Sequence, residues 1–466
     1  MIAQRPDDNF SGQTTTNAVT YPPGYKDPRE HVTARAVGIW LVALITYIVA
    51  ITGRTSLGVA GVEALDRFHI NASQLAVFTA VQVGVYALAQ IPTGIIIDRV
   101  GAKKTMVAGA LIMALGQAIL ALTTSYPLAI AARVLIGAGD ATAFLGAMRL
   151  LPAWFPLRAT PLFTQLTAGV GQLGQFISAV PFLAMLHAAG WVPAFLSLTT
   201  GGVIIALVGL IALNDVPAVP GADGARPSRR ERRQAKKNAQ PEARLGIGET
   251  LRIVTTHPVC WQGFFTHWTG LMHQCIFTLL WGMPLMTLGL GLEPAQASVV
   301  LIINTLAVIV AGPVMGVLSA RAGRSRFVLI AVIAAADMAI WAVLLASETA
   351  PPYWAIILLN VGMGILAPMS NLGFDSVREH VDRKVLATGT GLANMGGFIA
   401  TMIASQGIGL LLDYSAHGTS YQWADFRLAW WAVIGIWAFG FAGLIVSQLV
   451  LRRHGRAADR EKITLD

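Results

Sequence analysis

Residues 94–104 read Gly94-Ile95-Ile96-Ile97-Asp98-Arg99-Val100-Gly101-Ala102-Lys103-Lys104. One carboxylate, three basic side chains and a glycine interrupt a sequence that carries no charge over 74–97 before it or over 105–123 after it. Each flank approaches or exceeds the roughly 20 apolar residues that cross a hydrocarbon core. The stretch is therefore a tight polar turn between two membrane-crossing segments. Its glycines allow a sharp reversal and close approach to a neighbouring helix. A related turn recurs 222 residues later, starting at Gly316, as Gly316-Val317-Leu318-Ser319-Ala320-Arg321-Ala322-Gly323-Arg324-Ser325-Arg326. Equivalent turns at that distance point to a duplicated unit of six spans.

Working outward, similar apolar runs fill the chain. We expect spans at 36–61, 74–97, 105–123, 128–153, 162–187, 192–213, 259–285, 295–318, 327–346, 353–374, 386–412 and 428–450. The composition agrees: 55% of the 466 residues are hydrophobic and 12% charged, against about a quarter charged in soluble domains. Backbone groups in lipid need partners within their own segment, and the runs lack strand-like alternation, so they are helices. The predicted fold class is an all-α membrane protein of twelve helices.

Of the Lys and Arg residues, 28 fall in the two tails and the alternate loops that share their side, whereas the other side has only Arg67 and Arg427. By the positive-inside rule both termini and the loop after span 6 face the cytoplasm of a cell (inner or plasma) membrane. The same rim explains the net charge of +9 as attraction to anionic lipid, without nucleic acid. The expected organisation is a cytoplasmic tail (1–35), a six-helix bundle (36–214), a basic linker (215–257), a second bundle (258–450) and a cytoplasmic tail (451–466). Arg226, Arg229, Arg230, Arg232, Arg233, Lys236 and Lys237 crowd the linker, which reads as an interdomain connection with a short amphipathic helix; a calmodulin-like or lipid-regulatory role is the sharper alternative. Cys260 and Cys275 share one apolar run and read as packing residues, with no disulfide framework or metal spacing.

The first turn closely resembles the GxxxDRxGxKK signature of the major facilitator superfamily. The six-plus-six layout around a basic loop matches that family over nearly the whole chain. The resemblance implies two pseudo-symmetric six-helix bundles that work by alternating access. It also implies a cytoplasmic gate latch at Gly94, Asp98, Arg99, Gly101 and Lys104. The second turn has Ala320 where the first has Asp98, which implies a weaker latch there. Arg133, Gly137 and Gly139 in span 4 resemble the family's RxxxGxG pattern. Arg133 is thus a candidate for proton coupling, with pairing near the outer interface as the other reading.

Arg54 in span 1 and Asp140 in span 4 lie deep in apolar runs, where an exposed charge costs about 3 kcal/mol on insertion scales. Both should turn inward, and Tyr47 with Arg54, like Arg133 with Asp140, stands seven residues apart on one helix face. Arg54-Thr55-Ser56-Leu57-Gly58-Val59-Ala60, together with Gly137-Ala138-Gly139-Asp140 and Leu151-Pro152-Ala153-Trp154-Phe155-Pro156, resembles the anion:cation symporter branch. That resemblance implies that Arg54 binds an organic carboxylate, that Asp140 carries the proton, and that the two interact. The branch often has Asp before the arginine, where this chain has Gly53.

Helical stripes supply further cavity candidates: Gln82, Tyr86 and Gln90; Gln165, Gln172 and Gln175; and His267, Gln274 and Trp281, with His273 on another face. Asn360, Asn371 and Asn394 complete them, with interhelical hydrogen bonding as the alternative use. Asp375 is expected to meet the first-half latch or Arg378 at the gate. Charge handling is expected in the first half, and neutral polar groups in the second.

The resulting expectation is a proton-coupled symporter of a small organic anion, monomeric in lipid, driven by the proton gradient without a cofactor. A proton-driven drug or metabolite exporter of the same superfamily is the alternative. Its usual GP-containing glycine motif is absent from Gly169-Val170-Gly171-Gln172-Leu173-Gly174-Gln175. The chain has no GxxxxGK[ST] loop and no HExxH, so an ATP-driven pump or embedded enzyme is not expected.

Overall fold

The computed structural model describes residues 29–70, 72–217, 245–416 and 421–463. Most of the expected N-terminal tail, the basic cluster of the linker and the last residues of the C-terminal tail lie outside them. Among the described residues every regular element is helical. Twelve helices are long and apolar enough to cross a membrane: Ala34–Val59, Ala80–Val100, Ala102–Leu122, Tyr126–Trp154, Thr160–Ala189, Trp191–Ala212, Pro258–Gly289, Ala295–Ala322, Arg326–Ala346, Tyr353–His380, Leu386–Ser415 and Trp423–Arg453. We number them spans 1 to 12. Span 10 continues six residues beyond the expected end at 374, and span 12 begins five residues before the expected start at 428.

The turns follow local chemistry. Thr33 starts span 1 by accepting a hydrogen bond from the Ala36 N–H at 3.1 Å, satisfying one orphan donor of the first turn. Between spans 2 and 3, Gly101 adopts φ +97°, a region that L side chains avoid. A Cβ there would also lie 2.5 Å from the Asp215 carboxylate. That carboxylate, which follows span 6, accepts the Lys103 N–H at 2.8 Å and so caps span 3 from a distant part of the chain. The linker helix Ile247–Thr256 matches the short amphipathic segment expected there.

Spans that run alternately up and down bring the chain's entry, its exit and the connection between spans 6 and 7 to one face, here called the linker face. The duplicated turn is a structural repeat. A Cβ on Gly94 would meet the Ala387 carbonyl oxygen at 2.6 Å, so span 2 crosses span 11 at near contact. A Cβ on Gly316 would meet Leu162 Cα at 2.8 Å, so span 8 crosses span 5 in the same way. Small residues permit such crossings. Leu88, Ile211, Val310, Val343 and Leu410 are exposed on the outside of the bundle, as lipid-facing side chains should be.

Three spans depart from regular α-helix. Span 5 contains a π-helical stretch, Ser178–Phe182, around Pro181. Span 7 contains two, Phe277–Trp281 and Leu285–Gly289. Span 10 narrows to a 3-10 stretch, Ala367–Asn371, at Pro368. Proline removes a donor and pushes on the preceding turn, which accounts for spans 5 and 10, while Pro284 precedes the second stretch of span 7.

Gly391 faces the Gln90 carbonyl oxygen, 2.5 Å from where a Cβ would stand, whereas Gly38 has open space. Gly391→Leu should therefore cost about 1–3 kcal/mol by overpacking and lower the thermal unfolding temperature in detergent. Gly38→Leu should leave that temperature unchanged.

Candidate functional site

A cavity of about 180 Å³ lies between the halves, with walls from both. Among the described residues its one Lys or Arg is Arg54, from the last third of span 1. Arg54 Nε donates to Asp140 Oδ2 at 2.6 Å, and Nη2 donates to Oδ1 at 3.0 Å. Both residues line the cavity; the Asp140 side chain is 0% exposed and Arg54 is 21% exposed, so the guanidinium is the more accessible member of the pair. The pair uses the planar fork that suits arginine to carboxylates. Its Cζ lies 4.4 Å from the centre of the Tyr86 ring, a cation–π distance. Arg133 does not line the cavity; its Nη2 donates to the Arg54 carbonyl at 3.1 Å, while its Nε and Nη1 are buried without a hydrogen-bond partner among the described residues.

Most of the expected cavity residues come together. Tyr47, Gln82, Tyr86, Gln172 and Gln175 line the first-half wall, and His267, Gln274 and Asn394 line the second. Four expected residues lie elsewhere: Gln90 accepts from Asn394 at 2.9 Å, Asn360 accepts from Asn304 through its backbone carbonyl at 3.0 Å, and Trp281 and His273 have other partners. Trp281 donates from Nε1 to the Ser405 carbonyl at 3.0 Å, and His273 pairs with Asp337 at 2.7 Å. The cavity stripe on span 7 is instead His267, Leu271, Gln274 and Thr278. A strict seven-residue step drifts about 20° per repeat on a helix, and the π-helical turn at Phe277 rotates Trp281 further.

Cys275, expected as packing, also lines the cavity, as does Gln165. Asp337 was missed, although it is the one ionisable residue in the run 327–346. It adds a buried acid to a second half expected to hold mostly neutral polar groups beside Asp375 and Arg378.

His267 has a defined direction. Its Nδ1 lies 3.2 Å from the Ser370 carbonyl oxygen, and a carbonyl only accepts, so Nδ1 carries the hydrogen. In the neutral ring Nε2 is then an acceptor, and it is buried without a protein partner. A second cavity, of about 250 Å³, lies within the first half among small and apolar side chains such as Ala110, Ala114, Gly201 and Gly202. It has no wall from the second half.

Between the cavity and the linker face, three tiers of bonds join the halves. In the first, Asn394 Nδ2 donates to Gln90 Oε1 at 2.9 Å and Asn371 Nδ2 to Gln165 Oε1 at 3.0 Å. In the second, Arg378 Nη2 donates to Thr164 Oγ1 at 2.9 Å, while its Nη1 holds Asp375 at 2.7 Å. Asp375 also accepts from Ser319 Oγ at 2.6 Å; of its two expected partners, the structure shows Arg378.

The third tier is Asp98. It accepts the Ala387 N–H at 2.9 Å, the Thr388 N–H at 2.8 Å and the Thr388 hydroxyl at 2.7 Å. A carboxylate thus caps the N-terminus of span 11, where orphan amides and the helix dipole favour negative charge. Arg149 approaches the same carboxylate at 3.7 Å. Arg99 turns away and donates to the Leu245 carbonyl at 2.7 Å, and Lys104 is exposed. Gly94 and Gly101 serve the close crossing and the sharp turn described above.

The model of the Major Facilitator Superfamily matches residues 43–405. The chain belongs to that family. A probable sulfoacetate transporter of Cupriavidus necator is 27% identical over 157 residues, 34% of this chain and 36% of that protein. A probable L-galactonate transporter of Escherichia coli is 22% identical over 169 residues, 36% of each chain. A probable galactarate/D-glucarate transporter of Escherichia coli is 27% identical over 128 residues, 26% of this chain and 29% of that protein. The matches thus span about a third of these relatives' length. The solved structure of the E. coli fucose:proton symporter superposes with a TM-score of 0.55 over 88% of this chain and 97% of that one, at 15% identity. It shares the fold.

Cys275 supplies a built-in reporter of cavity access. In a Cys260→Ala background, Asp98→Asn should weaken the cap on span 11 and raise labelling of Cys275 by an impermeant maleimide from the linker face. An unchanged labelling pattern would make the Asp98 turn a purely structural element.

Proposed function

We propose that this protein is a secondary active transporter that couples protons to the movement of a small organic anion by alternating access. The observation that carries this reading is the Arg54–Asp140 pair, with its cation facing the cavity and its carboxylate wholly buried. In the empty carrier the two charges cancel. An arriving carboxylate or sulfonate competes for the Arg54 fork and removes the support of Asp140, which then takes a proton. The loaded carrier is again neutral at this site. An anion without a proton, or a proton without an anion, leaves an uncompensated charge at membrane depth, which is costly. Coupling follows from that penalty.

Gly53, where the anion:cation branch often has Asp, leaves Asp140 as the proton carrier of the first half. Gln117 Nε2 donates to the Gly53 carbonyl at 3.0 Å and would stand 2.9 Å from any Cβ at position 53. Arg133 acts through Arg54, holding the span 1 carbonyl in register. The relatives' names refer to sulfoacetate, galactonate and galactarate or glucarate, all small anions. An acceptor at His267 Nε2 favours a substrate that brings a hydroxyl donor. The cavity is smaller than the about 300–1,000 Å³ of drug-sized sites, which weighs against a drug exporter.

Asp98, Arg378 and Asp375 form the gate, aided by Gly94, Arg99, Gly101 and Lys104, and the conformation is closed toward the linker face. The concentration of Lys and Arg on that face assigns it to the cytoplasm, in the cell's inner or plasma membrane. The proton gradient is the energy source.

Proteoliposomes with an inward proton gradient should accumulate at least one of sulfoacetate, galactonate or glucarate. Asp140→Asn should abolish accumulation yet keep counterflow exchange, and retained accumulation would remove Asp140 from the coupling role. Arg54→Lys, which loses the planar fork, should weaken affinity about tenfold, or 1.4 kcal/mol. No uptake of any acid, or expulsion driven by the gradient, would overturn the symport reading.

A further inference from the structure

One second-half pair lies outside both the cavity and the gate. His273 on span 7 and Asp337 on span 9 meet through Nδ1 and Oδ2 at 2.7 Å, with side chains 2% and 9% exposed. The imidazole stacks on Trp341 at 5.6 Å, and Trp341 stacks on Trp430 of span 12 at 5.2 Å. His273 Nε2, Trp341 Nε1 and Trp430 Nε1 are all buried without a hydrogen-bond partner among the described residues.

From this geometry we propose that His273 and Asp337 form a second proton-binding site, whose occupancy changes as the two halves alternate. The inference rests on the transporter reading above. A carboxylate accepts from Nδ1, so Nδ1 carries a hydrogen and Nε2 is the one ring position left for a second proton. With Nε2 bare, the pair carries a net negative charge in apolar surroundings. With Nε2 protonated, the pair is a neutral ion pair, but a buried N–H then lacks an acceptor. The two costs oppose each other, so a modest change in packing or water access decides which form is present. A purely structural pair would supply an acceptor to Nε2.

The pair is joined to the moving parts through span 7. Gln274, the next residue, lines the central cavity and donates to Asn304 Oδ1 at 2.6 Å. Phe277, four residues on, begins the π-helical stretch Phe277–Trp281, an irregularity frequent at functional sites. Displacement of span 7 against span 9 would alter the contact and the access of water to Nε2.

Few other charges act on the pair. Spans 7, 9 and 12 present Phe277, Trp341 and Trp430, and span 10 has no titratable residue over 354–366. Cys275 lines the cavity instead. On span 12, Arg427 is engaged with the Leu345 carbonyl and Glu348. Among the described residues no other charged side chain forms an ion pair with Asp337 or His273.

The test uses the full chain in lipid nanodiscs with ¹⁵N-labelled histidine, and needs no substrate. The His273 signals are assigned by their loss in His273→Gln. NMR should show both the neutral and the doubly protonated ring as the pH is varied, and Asp337→Asn should remove the doubly protonated form. At fixed pH, breaking the latch with Asp98→Asn should change the ratio of the two forms about threefold or more. Where Asp98→Asn leaves Cys275 labelling unmoved, Gly391→Leu wedges the same crossing and replaces it. A single form at every pH, or a ratio unmoved while Cys275 labelling shifts, overturns the proposal. Failure of the transport assay would leave this result intact, which separates the two readings.

Discussion

A carboxylate removed from water at the middle of a membrane needs a cation within hydrogen-bond reach, and for Asp140 that cation is Arg54. Much of the first half is arranged around this requirement. Spans 1 and 4 must present the two residues to each other, which sets their register. Arg133, one face-repeat before Asp140, holds the backbone carbonyl of Arg54 and so couples the same two spans again. Tyr86 covers the guanidinium from span 2. The pair is neutral as a unit, which reconciles two charges with membrane depth; the desolvation of each separately would be costly.

The linker face depends on a different use of charge. Asp98 meets the amide end of span 11 across the interface between the halves, where three hydrogen bonds and the helix dipole add to Arg149 at 3.7 Å. The related position in the second half, Ala320, has no such group, and there Arg378 reaches across to Thr164. The duplicated turn therefore keeps its geometric role at Gly94 and Gly316, while its electrostatic role survives in one copy. Asymmetric closure on a symmetric scaffold is the consequence.

Irregular helix sits where the cavity needs it. Pro368 and Asn371 of the narrowed stretch in span 10, and Thr278 and Leu279 of the π-helical stretch in span 7, all line the cavity. Backbone that departs from the regular ladder is tolerated in a membrane only where protein or a polar cavity replaces the lost bonds.

Apolar run lengths and the repeated turn were enough to read twelve helices in two halves, because hydrocarbon thickness and backbone satisfaction leave little choice. Arg54, Asp140 and Asp98 were legible for a related reason: a charge in or beside an apolar run has to be partnered. Asp337 obeys the same rule in span 9 and went unread, since the run around it is otherwise unbroken. What sequence periodicity could not supply was rotation beyond a local turn. Trp281 fell off the cavity face because a π-helical turn and helical drift move side chains by angles that spacing does not record, and His273, on another face from the start, found Asp337 on span 9. The partners of Asp98, Asp215 and Asn394 come from remote spans. Composition and spacing by themselves determined the number of helices, their duplication and which charges had to be paired. Tertiary structure alone decided which partner each charge found, because that depends on how twelve helices cross.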